Sequence, residues 1–231
     1  MLAALCKSPR LARWLPLLTL LALDLVTKGL AYRYLSHDQP VRDEALLQFV
    51  LRLNAGPGVW ATEILAKRSG SALFSSAMGY AGAALYLFAI RHTTWSVLRK
   101  VLLGFASFYA SVALCAVVQH FVGHAGRTTG ELAAKFGTTA FAVCAWWLAQ
   151  RMPLRAVTTL FAAAGLGNSL CLIARPHVVV DFIYSRLLTR YARHGVMNLA
   201  DLYFDAALLG LIALTLRAMA STVRRGVGRG A

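Results

Sequence analysis

Carboxyl groups stand where an apolar chain has least use for them. Asp24 lies inside the apolar run 12–35, Asp181 separates Val178-Val179-Val180 from Phe182-Ile183, and Asp201 and Asp205 open the last apolar run, 201–220. An ionisable group in hydrocarbon costs at least about 2.5 kcal/mol, so each needs a partner or a purpose. Two carboxyl groups brought together in a poorly hydrated place repel, and they favour sharing one proton. One can then take a proton from water while the other, protonated, polarises a carbonyl. Asp181 and Asp201 are the pair we expect to do this. Taken singly, Asp201 or Asn198 reads as a helix cap that satisfies free backbone N–H groups. Asp205, one turn beyond Asp201, reads equally as a third member or as part of a polar helix face.

Other polar residues have supporting chemistry. Asp24 and Lys28 stand at i and i+4, so they can pair on one helix face, with Lys28 reaching toward the outer headgroups. Anchoring the first helix suits that pair better than direct catalysis. Asn168, in Gly165-Leu166-Gly167-Asn168, is an amide at a depth where it must find partners. It either orients a carboxylate or joins a neighbouring helix, and the glycines permit close helix contact.

The elements that must position these residues follow from composition. Of 231 residues, 58% are hydrophobic and 14% charged, and the mean hydropathy is +0.60. Soluble domains are about 45–50% apolar and about 25% charged, so this composition belongs to a membrane protein. A disordered chain, a disulfide-stapled secreted domain and a coiled coil are excluded. Six apolar segments, near 12–35, 71–90, 101–122, 138–150, 154–173 and 201–220, are expected to span about 30 Å of hydrocarbon. The fourth is short, and residues from Gly137 backwards can extend it. The first is too long and too charged for a cleaved signal peptide.

The net charge of +15 is read as a topology signal rather than a nucleic-acid footprint. With the N-terminus inside, short inner loops hold Lys7, Arg10 and Arg13, then Arg91, Arg99 and Lys100, then Arg151 and Arg155, and finally Arg217, Arg224, Arg225 and Arg229. None of the nine acids falls there. Both termini are therefore expected in the cytoplasm, with Asp24, Asp181, Asp201 and Asp205 toward the outer face. The outer loop 36–70 is too long for a plain connector. Its run Gln48-Phe49-Val50-Leu51-Arg52-Leu53, followed by Asn54-Ala55-Gly56-Pro57-Gly58, reads as a short strand and turn on the membrane surface. The fold class expected is an all-α polytopic membrane protein of about six spans, one domain over 1–231, with a small extracytoplasmic β-element.

Cys6, Cys115, Cys144 and Cys171 form no C-x-x-C pair, and three of them lie in spans as small buried hydrophobes. His120 and His124 are one turn apart, but no third ligand is evident, so no metal is expected. Ser75, Gly79 and Ala83 read as a helix-packing stripe.

Taken in order, these motifs resemble those of the lipoprotein signal peptidases (signal peptidase II), aspartic peptidases of the bacterial inner membrane. Asp24-x-x-Thr27-Lys28 is similar to the family's first-helix motif, and Asn54-x-Gly56 to the polar turn of its periplasmic sheet. Gly167-Asn168 is similar to the Gly-Asn of its third-helix motif, Val179-Val180-Asp181-Phe182 to its first catalytic aspartate, and Asn198-x-Ala200-Asp201 to its second. The resemblance covers roughly 1–70 and 154–220. It implies that Asp181 and Asp201 form a catalytic dyad, with Asp24, Lys28, Asn54, Gly56, Asn168, Arg175, Asn198 and Ala200 supporting or lining the site. It implies a preprotein substrate whose Cys carries diacylglycerol, cleavage just before that Cys, contact with membrane lipids, no cofactor and a monomer in the inner membrane.

Three departures stand out. The family typically has four spans, and 91–153 reads as an inserted helix pair. An even insertion keeps every motif on the side that the charge count gives it. Where the family has Arg four residues after the motif Asn, this chain has Leu172, with Arg175 three residues later. The segment between Asp181 and Asn198 is also basic, with Arg186, Arg190 and Arg193, which suits anionic headgroups or simple solvation. Leu172 is the best support for an alternative, a non-catalytic membrane protein of the same scaffold that binds lipidated peptides. A proton-relaying transporter is weaker, because no acid continues the path to the cytoplasmic side.

Overall fold

The structure is a computed structural model, and it describes residues 11–36, 40–42, 46–54, 96, 99, 102, 129–149, 152–174, 178–187 and 196–227. The protein is mostly helical, with a small three-stranded antiparallel sheet. Helix α1 spans Leu11–Tyr34 and strand β1 spans Gln48–Asn54. Helices α2 (Thr129–Leu148) and α3 (Leu154–Ile173) follow as a hairpin with a five-residue connection. Strands β2 (Val179–Tyr184) and β3 (Val196–Met197) lead into α4 (Leu199–Val227).

Three helical stretches are long and apolar enough to cross a membrane: Arg13–Tyr34, Leu154–Ile173 and Leu199–Arg217. They agree with the first, fifth and sixth expected segments. The fourth is a shorter apolar stretch, Thr139–Leu148, extended backwards by a more polar beginning that includes Glu131 and Lys135. The second segment, the third apart from residue 102, and Ser75, Gly79, Ala83, His120, His124, Gly56 and Arg175 lie outside the described residues.

Helix α3 is the centre of the bundle. Of its apolar window 61% is buried, against 22% for α1 and 11% for α4, and it packs against α1, α2 and α4. Leu17 of α1, Ala142, Ala145 and Trp146 of α2, Phe161, Ala162 and Ala163 of α3, and Ala207 of α4 fill the space between the helices. Small residues set the spacing here, as they do where lipid removes the hydrophobic drive between helices. At Gly210 of α4, an added Cβ would meet Val157 Cγ2 at 2.6 Å, so that crossing needs a bare backbone.

The sheet, in the order β1-β2-β3, closes one end of this bundle. Leu51, Val180, Phe182, Ile183 and Met197 pack with Ala31 and Leu35 at the end of α1 and with Leu199 and Leu202 at the start of α4. The alternating run at 48–53 is thus a strand, as its period suggests. Its partner is the apolar run around Asp181, which pairs in turn with Val196-Met197, and that pairing is not legible in any one segment alone. Between Phe49 and Arg52 the register slips by one residue. Val50 and Leu51 are both buried, and Arg52 comes to stand opposite Asp181. A bulge of this kind re-aims the side chains that follow it.

Candidate active site

At the sheet end of the bundle, four elements and the residue between β3 and α4 bring polar groups to one place. Asp24 and Lys28 come from α1, Asn168 from α3, Asp181 from β2, Asn198 from the residue between β3 and α4, and Ala200 and Asp201 from the first turn of α4. Asp24, Asn198 and Ala200 are wholly buried, and Lys28 and Asp181 are nearly so. Asn168 and Asp201 are half-buried.

The start of α4 sets one half of the geometry. Asn198 Oδ1 accepts the backbone N–H of Asp201 at 3.2 Å, and Asp201 Oδ2 accepts the backbone N–H of Asn198 at 3.0 Å. This is a reciprocal capping box, with an amide and a carboxylate in the usual hydroxyl and Glu positions. The amide of the cap also reaches further. Asn198 Nδ2 donates to Asp181 Oδ1 at 2.6 Å and to Asn168 Oδ1 at 3.3 Å. One residue therefore holds both carboxyl groups, Asp201 through its backbone and Asp181 through its side chain. Asp201 is at once a cap and a member of the cluster.

Helix α1 supplies the other half. Lys28 Nζ donates to Asp24 Oδ2 at 2.7 Å and to Asn168 Oδ1 at 2.8 Å. The i, i+4 ion pair agrees with its spacing. The expectation that Lys28 reaches outward to headgroups is corrected: its ammonium turns inward, because Asp24 and Asn168 offer it acceptors in the protein interior. Asp24 Oδ1 accepts the N–H of Ala200 at 2.9 Å, so a residue of α1 satisfies an orphan donor in the first turn of α4. Asn168 completes the chain by donating through Nδ2 to Asp201 Oδ1 at 3.2 Å. Orienting a carboxylate and joining neighbouring helices prove to be one role.

Gly167 makes this approach possible. A Cβ there would fall on Asp24 Oδ2, with Asp24 Cγ at 3.1 Å and Ala200 Cβ at 3.4 Å. Asp24, Lys28, Asn168, Asp181, Asn198, Ala200 and Asp201 are thus brought together by the fold. Asn54 ends β1 opposite Val179, two positions along β2 from Asp181. Asp205 lies one turn further along α4, half-buried. Leu172 is buried in the core, so that position presents an aliphatic side chain where the resemblance expects Arg. Sequence reasoning missed Arg52, because its place opposite Asp181 depends on the bulge and on pairing with a distant strand.

Chemically, three carboxyl groups gather around one ammonium and two amides. Asp24 accepts from Lys28 and Ala200, Asp201 from Asn168 and Asn198, and Asp181 from Asn198. Among the described residues, no group of three or more His, Cys, Asp and Glu could hold a metal ion. Compared with known proteins, the chain matches no family model, no curated protein and no solved structure.

Proposed function

We propose that this chain is an aspartic endopeptidase of the signal peptidase II type, an intramembrane enzyme that removes signal peptides from diacylglyceryl-modified preproteins just before the lipidated Cys. In this reading it is a multi-pass protein of the bacterial inner membrane, with cytoplasmic termini, a site facing the periplasm, a monomeric state and no cofactor. One observation carries the reading: Asn198 is hydrogen-bonded to Asp201 and Asp181 at once, so two acids far apart in sequence share one neighbour. The convergence of Asp24, Lys28, Asn168 and Ala200 on the same cluster supports it.

The chemistry is general acid–base hydrolysis. One carboxylate of the pair takes a proton from water, and the resulting hydroxide attacks the scissile carbonyl carbon. The other, protonated, gives its proton to the carbonyl oxygen. Collapse of the tetrahedral intermediate breaks the C–N bond, and a proton passes to the departing amine. The signal helix lies among the spans, and the acyl chains of the lipidated Cys stay in the bilayer.

The test is incubation of the full chain with a diacylglyceryl-modified preprotein, following release of the signal peptide. Asp181→Asn and Asp201→Asn are each expected to lower cleavage at least about 10³-fold, with membrane insertion unchanged. Full cleavage by either variant excludes the dyad. A second reading, the non-catalytic scaffold that binds lipidated peptides, is favoured by the cap that Asp201 closes and by the buried Leu172. Retention of the preprotein with no release of signal peptide selects that reading instead.

A further inference from the structure

Helix α2 belongs to the part of the chain that the family resemblance leaves unexplained, yet it meets α3 within one turn of the candidate site. Thr139 Oγ1 of α2 and Ser169 Oγ of α3 are hydrogen-bonded at 2.9 Å, and both residues are buried. Ser169 directly follows Asn168. Gly165, four residues earlier and so on the same face of α3 as Ser169, faces the same threonine. A Cβ at Gly165 would meet Thr139 Oγ1 at 2.8 Å and Thr139 Cα at 3.2 Å. Bare backbone and a hydroxyl pair together bring α2 against this turn.

The opposite side of the same turn faces the site. At about 100° per residue, Gly167 lies across α3 from Gly165, and it abuts Asp24 and Ala200. One turn of α3 is therefore held between α2 on one side and α1 with α4 on the other. Asn168 sits in that turn and bonds to Lys28, Asn198 and Asp201. On α2, Phe136, Thr139, Ala142 and Trp146 are all buried, at the three- and four-residue spacing of a single helix face. Thr139 is the polar member of that stripe.

We infer that α2 is part of the working core of the peptidase, and that Thr139 and Ser169 are positioning residues that hold Asn168 in register with Asp201. The inference rests on the peptidase reading above. The Thr139–Ser169 hydroxyl pair forms only where the two residues are level, so it favours one sliding position of α2 along α3. Fixing that position fixes the depth of Asn168. A displacement of about 1 Å at a supporting residue is enough to slow a reaction by up to about 10²-fold.

The experiment measures kcat and KM of the full chain on a diacylglyceryl-modified preprotein, with Tm of each purified variant. Thr139→Val, close to isosteric but without the hydroxyl, is expected to lower kcat about tenfold with KM within about twofold. Ser169→Ala is expected to do the same, while Thr139→Ser, which keeps the hydroxyl, restores kcat to within about twofold. The double variant should lose no more than either single one, since both remove one contact. A purely structural contact would lower Tm and leave kcat per folded molecule unchanged. That result, or losses that multiply in the double variant, overturns the inference. Absence of cleavage by the unaltered chain overturns the peptidase reading itself, so the two failures are distinguishable.

Discussion

The two ends of the helix bundle handle buried polarity in opposite ways. At the sheet end, Lys28 donates to Asp24 and Asn168, and three carboxyl groups accept from Lys28, Asn168, Asn198 and Ala200. At the other end, 11 residues or about 16 Å back along α1 from Asp24, Arg13 faces no described acid. Its guanidinium donates to the backbone carbonyls of Trp146 and Trp147 and lies 5.2 and 5.3 Å from their ring centroids. Trp14 meets the Trp146 ring edge-on at 4.6 Å. Arg13 caps the carboxyl end of α2, as a cation at a helix C-terminus should. Among the described residues, the two buried side-chain donors left without a hydrogen bond, Arg13 Nε and Trp146 Nε1, are both at this end. The arginine end holds helices together and tolerates imperfect pairing. The carboxylate end has a partner for every described buried polar side-chain atom, and such complete pairing fixes the orientation of its side chains.

The contrast can be broken most severely at Lys28. Lys28→Met leaves Asp24 wholly buried and without its cation, which should cost about 3–5 kcal/mol of stability and show as a large fall in Tm. Gly167→Ala comes next. The new methyl group must push α3 away from Asp24 and Ala200, at about 1–3 kcal/mol by thermal unfolding, with kcat falling because Asn168 moves too. The smallest effect belongs to Arg13→Met, which should cost about 1 kcal/mol and leave kcat unchanged. A fall in kcat as large as that of Gly167→Ala would mean that the two ends are coupled, and that their division into packing and chemistry is mistaken.

Much of this could be read from the chain, wherever the signal is local. The run 154–173 coincides with α3, and 12–35 falls one residue from α1, because uninterrupted apolar length is itself the signal. Helix α4 runs on to Val227, since Arg217, Arg224 and Arg225 end the apolar stretch without ending the helix. The start of α2 was hidden for the same reason, behind Glu131 and Lys135. At the site, the Asp24–Lys28 spacing and a cap at Asn198 or Asp201 were legible because each is local to one helical turn, but that the two cap one another was not read. The long-range contacts were not. Nothing near Gly167 announces Asp24, nothing near Thr139 announces Ser169, and a hydroxyl in an apolar helix suits many neighbours.

The bulge in β1 ties length to charge. Strand partners that stand directly opposite project to the same side of a sheet, so the one surplus residue between Phe49 and Arg52 decides that a guanidinium, and not the butyl group of Leu51, shares the side of Asp181. Were the register of Phe49 and Ile183 to run on unbroken, Leu51 would stand opposite Asp181 and an oily neighbour would replace the cation. The surroundings of that carboxyl group are therefore written partly in one irregularity of a distant strand.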